Sequence, residues 1–212
     1  MQKATEKNAM RFTTFITITV AIGGLVEIVP LFTLPQGGQP SAAEARAVAA
    51  VKPRNGLEAE GFDLYVREGC YNCHSQMIRP FRHETLRYGP YSLAAEAHFD
   101  RPFQYGSRRI GPDLSRIGGK YPDSWHVAHL NDPQAMVPGS LMPRYPWLEK
   151  TTLDADRARL VQAKLRAQRT LGVPYTDAAI EAAYTEVLNK TELDAMVAYM
   201  QSLGRATKNL AR

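Results

Sequence analysis

Two cysteines and the histidine beside them carry the strongest chemistry in this chain: Cys70-Tyr71-Asn72-Cys73-His74. The spacing C-x-x-C-H is the attachment pattern for a c-type haem. Two intervening residues let one helical turn present both sulfurs to one porphyrin edge, where the thiols add across the two vinyl groups as thioethers. The histidine that follows offers its imidazole to the iron from the same side. Covalent attachment holds a large flat group in a domain too small to grip it by packing alone. The expected cofactor is one covalently attached haem c, bound through Cys70, Cys73 and His74.

Two other chemistries draw on the same residues. A Cys2His2 zinc site could combine Cys70 and Cys73 with His126 and His129, which are three apart on one possible helix face. It leaves His74 without a role. A thioredoxin-like dithiol needs a βαβ setting, and no strand alternation is visible. The chain has two cysteines in all, so a disulfide-stapled scaffold is excluded.

An iron held by one histidine needs a sixth ligand, or it keeps a site open to small molecules. The candidates are Met77, Met136, Met142, Met196, Met200 and the remaining histidines, His126 and His129 among them. Met77 is three residues from His74 and so lies on the same side of the ring. Met196 and Met200 continue an apolar helical stripe and read as packing. Met142 sits in Gly139-Ser140-Leu141-Met142-Pro143. A residue before proline is pushed toward extended geometry, which suits a loop laid over the far face of a haem. Met142 is therefore favoured, with Met136 next. His/Met ligation raises the reduction potential and fills both axial positions, which suits electron transfer rather than oxygen chemistry. In Gly111-Pro112-Asp113-Leu114 a proline carbonyl could accept the Nδ1–H of His74 and fix its ring. Between these motifs lie Arg79, Arg82, Arg87, Tyr88, Tyr91, Arg108, Arg109 and Trp125. One or two of these Arg and Tyr side chains are expected to pair with haem propionates.

The elements that must position this chemistry begin with an apolar stretch at residues 12–34, interrupted only by Glu27 and Pro30. About 20 such residues cross a bilayer core. Lys3, Lys7 and Arg11 precede it and residues 36–43 are uncharged, so the positive-inside rule puts the N-terminus in the cytoplasm and the rest outside. A cleaved signal peptide, with small residues at Ser41-Ala42-Ala43, is the rival reading. The apolar core is longer than the ~7–15 residues of a signal h-region. Glu27 and the pair Gly23-Gly24 favour a partner helix in the membrane; the alternative is that Glu27 snorkels at the outer interface. The expected layout is a cytoplasmic N-terminus at 1–11, a transmembrane helix at 12–34, a linker at 35–57 and a periplasmic mono-haem domain at 58–212. A short helix is possible at 42–51 within the linker.

Apolar spacing predicts four helices in that domain. Phe62, Tyr65, Val66 and Gly69 mark one leading into the cysteines. Leu153, Leu160, Val161 and Leu165 mark a second, stopping near Gly172. Ile180, Ala183, Tyr184, Val187 and Leu188 mark a third, with Thr176 as N-cap. Leu193, Met196, Val197, Met200 and Leu203 mark the last, opened by a capping-box pattern at Thr191 and Asp194 and closed by Gly204. Residues 75–150 show little periodicity and no strand pattern. The fold class expected is all-α: a single N-terminal transmembrane helix, then a cytochrome c-like haem domain with additional helices. A net charge of +5, with no Lys/Arg run, is too diffuse for nucleic acid. A hydrophobic fraction of 44% is too low for a polytopic membrane protein.

The stretch from Glu68 through the C-x-x-C-H motif and on through Ser75-Gln76-Met77-Ile78-Arg79-Pro80-Phe81-Arg82 closely resembles the mono-haem subunit of cbb3-type cytochrome c oxidases. His83-Glu84-Thr85, Arg87-Tyr88-Gly89, Gly111-Pro112-Asp113-Leu114, residues 125–133 and Leu141-Met142-Pro143-Arg144-Tyr145 extend the likeness, as does Glu27-Ile28-Val29-Pro30 in the anchor. The resemblance implies that Cys70 and Cys73 attach the haem and that His74 and Met142 are its axial ligands. It implies partners too: a haem–copper catalytic subunit, where oxygen would be reduced to water, and a di-haem cytochrome c subunit, alongside membrane lipid. This chain would relay electrons and hold no oxygen-reducing centre. The rival functions are a free-standing membrane-anchored cytochrome that shuttles electrons, and a haem enzyme or gas sensor with an open sixth site.

Overall fold

The computed structural model describes residues 7–33 and 42–206. Lys3 and Glu6 in the N-terminal flank, and residues 34–41 of the expected span and linker, lie outside them. The chain divides into two compact units, Met1–Ala45 and Arg46–Arg212.

The first unit is built on helix α1 (Ala9–Thr33). Its segment Ala9–Pro30 is long and apolar enough to cross a membrane. Three of its threonines have their hydroxyls bonded back to the helix. Thr13, Thr14 and Thr19 each donate to the carbonyl four residues back at 2.8 Å, which keeps a polar group bonded where no water is available.

Helix α2 (Ala42–Ala49) falls where a short helix was expected and buries Ala47. In the second unit, α3 (Gly56–Arg67) opens on a reciprocal cap: Asn55 accepts from the Glu58 amide, and the Glu58 carboxylate accepts from the Asn55 amide. Arg54, just before it, pairs with Asp100 and lies 5.0 Å from the Phe62 ring centre.

Four short helices follow: α4 (Arg82–Tyr88), α5 (Asp123–Asn131), α6 (Pro133–Met136) and α7 (Trp147–Lys150). The longer α8 (Ala155–Thr170), α9 (Asp177–Val187) and α10 (Glu192–Ser202) complete the fold. Thr176 caps α9, and Thr191 with Asp194 forms the capping box of α10, as the sequence indicated. Among the described residues the extended pairing is one isolated bridge, Thr152 to Thr191, so the domain is all-α.

The core is the crossing of α3 with α10, backed by the α8–α9 pair. Tyr65 and Tyr199 are fully buried with ring centres 5.3 Å apart, and Phe62 meets Tyr199 edge-on at 5.7 Å. Three sequence expectations change. Leu153 is buried but precedes the N-cap Asp154 of α8 and is not part of that helix. Gly69 is not on the face of α3: that helix ends at Arg67, and Gly69 adopts φ +70 beyond it. Leu160 is 57% exposed rather than packed; Ala158, Val161 and Leu165 carry the buried side of α8 instead.

The close approach of α3 to α10 rests on Gly61. A Cβ there would collide with the Ala195 carbonyl and come within 2.6 Å of Tyr199 Cβ. Because the obstacle is backbone, neither helix can yield locally. Gly61→Ala is expected to destabilise the domain by at least ~1–3 kcal/mol, the usual cost of overpacking, read as a lowered thermal midpoint.

Candidate functional site

The site starts where α3 stops. After the left-handed turn at Gly69, residues Cys70–Asn72 form one 3₁₀ turn. The amides of Cys73 and His74 both bond to the Cys70 carbonyl, at 3.1 and 3.0 Å. Both thiols are free, half-buried and carried on this single turn. Burial, with Glu68 adding to it, pushes the Cys70 thiol up to about 12. A redox dithiol is expected to show the opposite shift and to sit in a βαβ setting, and among the described residues the extended pairing is one isolated bridge.

His74 leaves the turn with its ring held. Its Nδ1 lies 2.8 Å from the Pro112 carbonyl. A carbonyl can only accept, so Nδ1 carries the proton and Nε2 is left as the lone-pair nitrogen. Burial lowers the basicity of His74, against the pull of Pro112 and Asp113, which favours the neutral ring that can bind a metal. Gly111 lies flat against this imidazole: a Cβ there would come within 2.7 Å of both ring nitrogens.

The segment carrying Pro112 is tied to the segment carrying His74 along its length. Gly111 donates to the Cys73 carbonyl at 3.0 Å and Leu114 to that of Ser75 at 2.9 Å. Asp113 accepts from the Ser75 hydroxyl at 2.6 Å and the Met77 amide at 2.9 Å. Arg109 donates to Ser75 Oγ, the Met77 carbonyl and Glu84. Glu84, 1% exposed, also accepts from the backbone and guanidinium of Arg79, at 2.8 and 2.5 Å. Arg79 and Arg109, offered by the sequence as propionate partners, are thus engaged with a buried carboxylate. Sequence reasoning missed Glu84. Its one signal was an acid isolated among arginines.

The Met142 loop is pinned beside the cysteine turn. Met142 is half-buried against the edge of the core. Beyond it, Tyr145 donates to the Leu130 carbonyl of α5 at 2.9 Å, Arg144 pairs with Asp132 at 2.9 Å, and Trp147 Nε1 donates to Glu68 at 3.3 Å. Burial first, then Cys70 and Cys73, push the Tyr145 phenol up to about 12, so this loop lies close to both thiols. Met196 and Met200 are buried in α10, matching their reading as packing, and Met136 is 38% exposed.

His126 and His129 both lie on α5. Tyr121 stacks on Trp125 at 4.0 Å and Trp125 on His129 at 4.6 Å. His126 Nε2 and His129 Nδ1 are buried without a partner. Among the described residues no three His, Cys, Asp or Glu side chains gather to hold a metal ion. The Cys2His2 zinc set is therefore not assembled.

These residues fit a c-type haem. Two thiols share one turn, one imidazole is tethered through Nδ1 with Nε2 free, and a glycine leaves the ring no obstruction. The chain matches the family described as cytochrome c oxidase, mono-heme subunit/FixO over residues 2–192. No curated protein matches it. The chain belongs to that family, the mono-haem subunits of cbb3-type cytochrome c oxidases.

Arg109, followed by the Arg79 bonds, holds Glu84 down from an ordinary value of 4.5 to about 2. A depressed carboxylate contributes stability that is complete above the unfolded value and is lost as pH falls through the folded one. Thermal midpoints should therefore drop between pH 4.5 and about 2. Glu84→Gln should remove this part of the pH dependence and lower the midpoint at neutral pH.

Proposed function

We propose that this oxidase subunit relays single electrons through one haem c, attached by Cys70 and Cys73 and ligated by His74 and Met142. The observation that carries the proposal is the fixed ring of His74. Its Nδ1 is occupied by Pro112, its Nε2 is free, and it sits directly beside two thiols on one turn. A haem held there supplies a one-electron Fe(III)/Fe(II) couple.

The chain's own residues would do the remaining work. Pro112 and Gly111 orient the imidazole and keep its tautomer fixed. The Met142 loop, anchored to α5 and to Glu68, would close the second axial position and exclude small molecules. That is the requirement for a relay rather than an oxygen-reducing centre. Tyr65 and Tyr199 stay protonated through burial and bond to the His74 carbonyl and to Gln76, so the ligand segment gains support without gaining charge.

The electrons would pass toward a haem–copper catalytic subunit, with a di-haem cytochrome c subunit in the same complex. The proposed layout keeps the N-terminus at 1–11 in the cytoplasm, the span at 12–34 in the bacterial inner membrane and, after a linker at 35–57, the haem domain at 58–212 in the periplasm. The positive flank before α1 and its apolar length support that orientation. Glu27 and Gly23-Gly24 suit contact with partner helices.

The test is a reduced-minus-oxidised spectrum with pyridine haemochrome on the chain purified from membranes in mild detergent. One c-type haem per chain, co-purifying with b-type haem and copper, is expected. Haem c alone would favour a solitary carrier, and no haem would refute the assignment. Met142→Ala should keep the covalent haem but lose the near-infrared methionine-ligand band of the oxidised state and lower the midpoint potential.

A further inference from the structure

We infer that the outer face of α4 is the surface by which this chain docks onto another subunit of the oxidase, one that presents carboxylates around an apolar patch. The inference depends on the chain being an oxidase subunit and not on the haem, so it goes beyond the relay proposed above.

Residues 76–95 hold one acid, Glu84, against Arg79, Arg82 and Arg87. That acid is buried and bonded to Arg79 and Arg109, so this stretch shows solvent no carboxylate. Arg82 and Arg87 are exposed, as is Arg108 beside the brace residue Arg109, and among the described residues none of the three has an acidic partner. A surface of one sign steers and holds a partner of the opposite sign.

The residue type narrows the partner. From residue 75 to residue 119 the chain carries seven arginines and no lysine. Arginine and aromatic side chains are enriched at protein interfaces and lysine is depleted there, because a planar guanidinium pairs with carboxylates in a fixed fork and stacks on rings. A lipid surface makes no such demand, since lysine serves it equally well. Apolar side chains stand among these cations. Leu86 is 76% exposed, and Phe81, which precedes the first turn of α4, is 51% exposed. Arg82 and Leu86 are four residues apart, as are His83 and Arg87, so these four share the side of the helix turned away from Glu84, and all four are exposed. Cationic and apolar groups mixed on one face are the composition of a protein contact.

The face is also rigid. A seven-residue helix is marginal by itself. Here Glu84 fastens it from beneath, accepting from the Arg79 amide at 2.8 Å and from Arg109 at 2.7 Å, while Arg109 also holds the Met77 carbonyl at 2.8 Å. Arg79 lies 5.4 Å from the Phe81 ring centre, and His83 stacks on that ring at 5.8 Å. A face already ordered in this way meets a partner with little further loss of freedom.

The test compares the intact oxidase complex with the full chain expressed alone in the same detergent. Phenylglyoxal probes arginine accessibility and peptide mass spectrometry reads it. Arg82 and Arg87 should react in the lone chain and lose that reactivity in the complex, while Arg159, exposed on α8, should react in both. Leu86→Glu sets a carboxylate against the partner's own. It should cut the b-type haem and copper that co-purify with the chain by about tenfold or more and leave its thermal midpoint unchanged. Should Leu86→Glu fail to fold, Arg82→Glu combined with Arg87→Glu reverses the charge of the face without touching an apolar group, and the same loss is expected. Full reactivity of Arg82 and Arg87 in the complex overturns the inference, as does normal co-purification of the variants. Equal protection of Arg159 would mark general shielding and overturns it too. Protection of the lone chain by phosphatidylglycerol vesicles would assign the face to lipid, and protection that grows with the concentration of the lone chain would assign it to a second copy; either result overturns it. A wild-type chain that brings down neither b-type haem nor copper defeats this inference together with the relay toward a catalytic subunit, whereas failure of the α4 face alone leaves that relay standing.

Discussion

An imidazole that is to bind a metal needs one nitrogen occupied and the other free, and the bonds in the middle of this chain hold His74 in that state. The Pro112 carbonyl takes the Nδ1 proton of His74. That carbonyl is useful only if it stays put, and it belongs to a segment without regular structure. Gly111 and Leu114 therefore lock that segment to residues 73–75 through backbone bonds. Asp113 ties both sides together through its carboxylate. Arg109 and Glu84 extend the brace to α4. This chain of bonds replaces what a sheet or a long helix would otherwise supply.

The site hangs from the helical core by two phenols. Tyr65 on α3 donates to the His74 carbonyl at 3.3 Å, and Tyr199 on α10 bonds to Gln76. Both rings lie in the α3–α10 crossing that Gly61 permits. Buried tyrosines supply large apolar area together with one polar tip. Here the apolar part binds the helices and the tip binds the ligand segment. The placement of His74 thus depends on helix packing remote from it.

How far the sequence reveals all this depends on distance along the chain. Cys70, Cys73 and His74 stand out in the sequence because the chemistry proposed for them needs neighbours in sequence, and the fold carries all three on or beside one turn. The caps at Thr176 and Thr191 are legible for the same reason. The role of Pro112 was open to inference only because a proline carbonyl next to glycine suits a ligand histidine. By contrast, α4 to α7 run for nine residues or fewer, two or three turns at most, so no apolar period can build up. Glu84 and Arg109 look like surface charges until the fold brings them to one another. Leu160 satisfied the spacing of a buried stripe, yet the buried face of α8 is set by Ala158, Val161 and Leu165. The unpaired nitrogens on α5 are a property of packing alone and leave no trace in the sequence pattern.

The α3–α10 crossing also bears on the order of events in making the molecule. Gln76 and Tyr199, bonded in the finished fold, are 123 residues apart. Contacts of such separation close slowly, because a long loop must be ordered before they form. Until α10 docks, Gln76 lacks its bond to Tyr199 and the segment that follows the cysteine turn lacks that support. The last helix of the chain is therefore a keystone for its middle: a truncation near the C-terminus would be felt at the cysteine turn more than a hundred residues earlier.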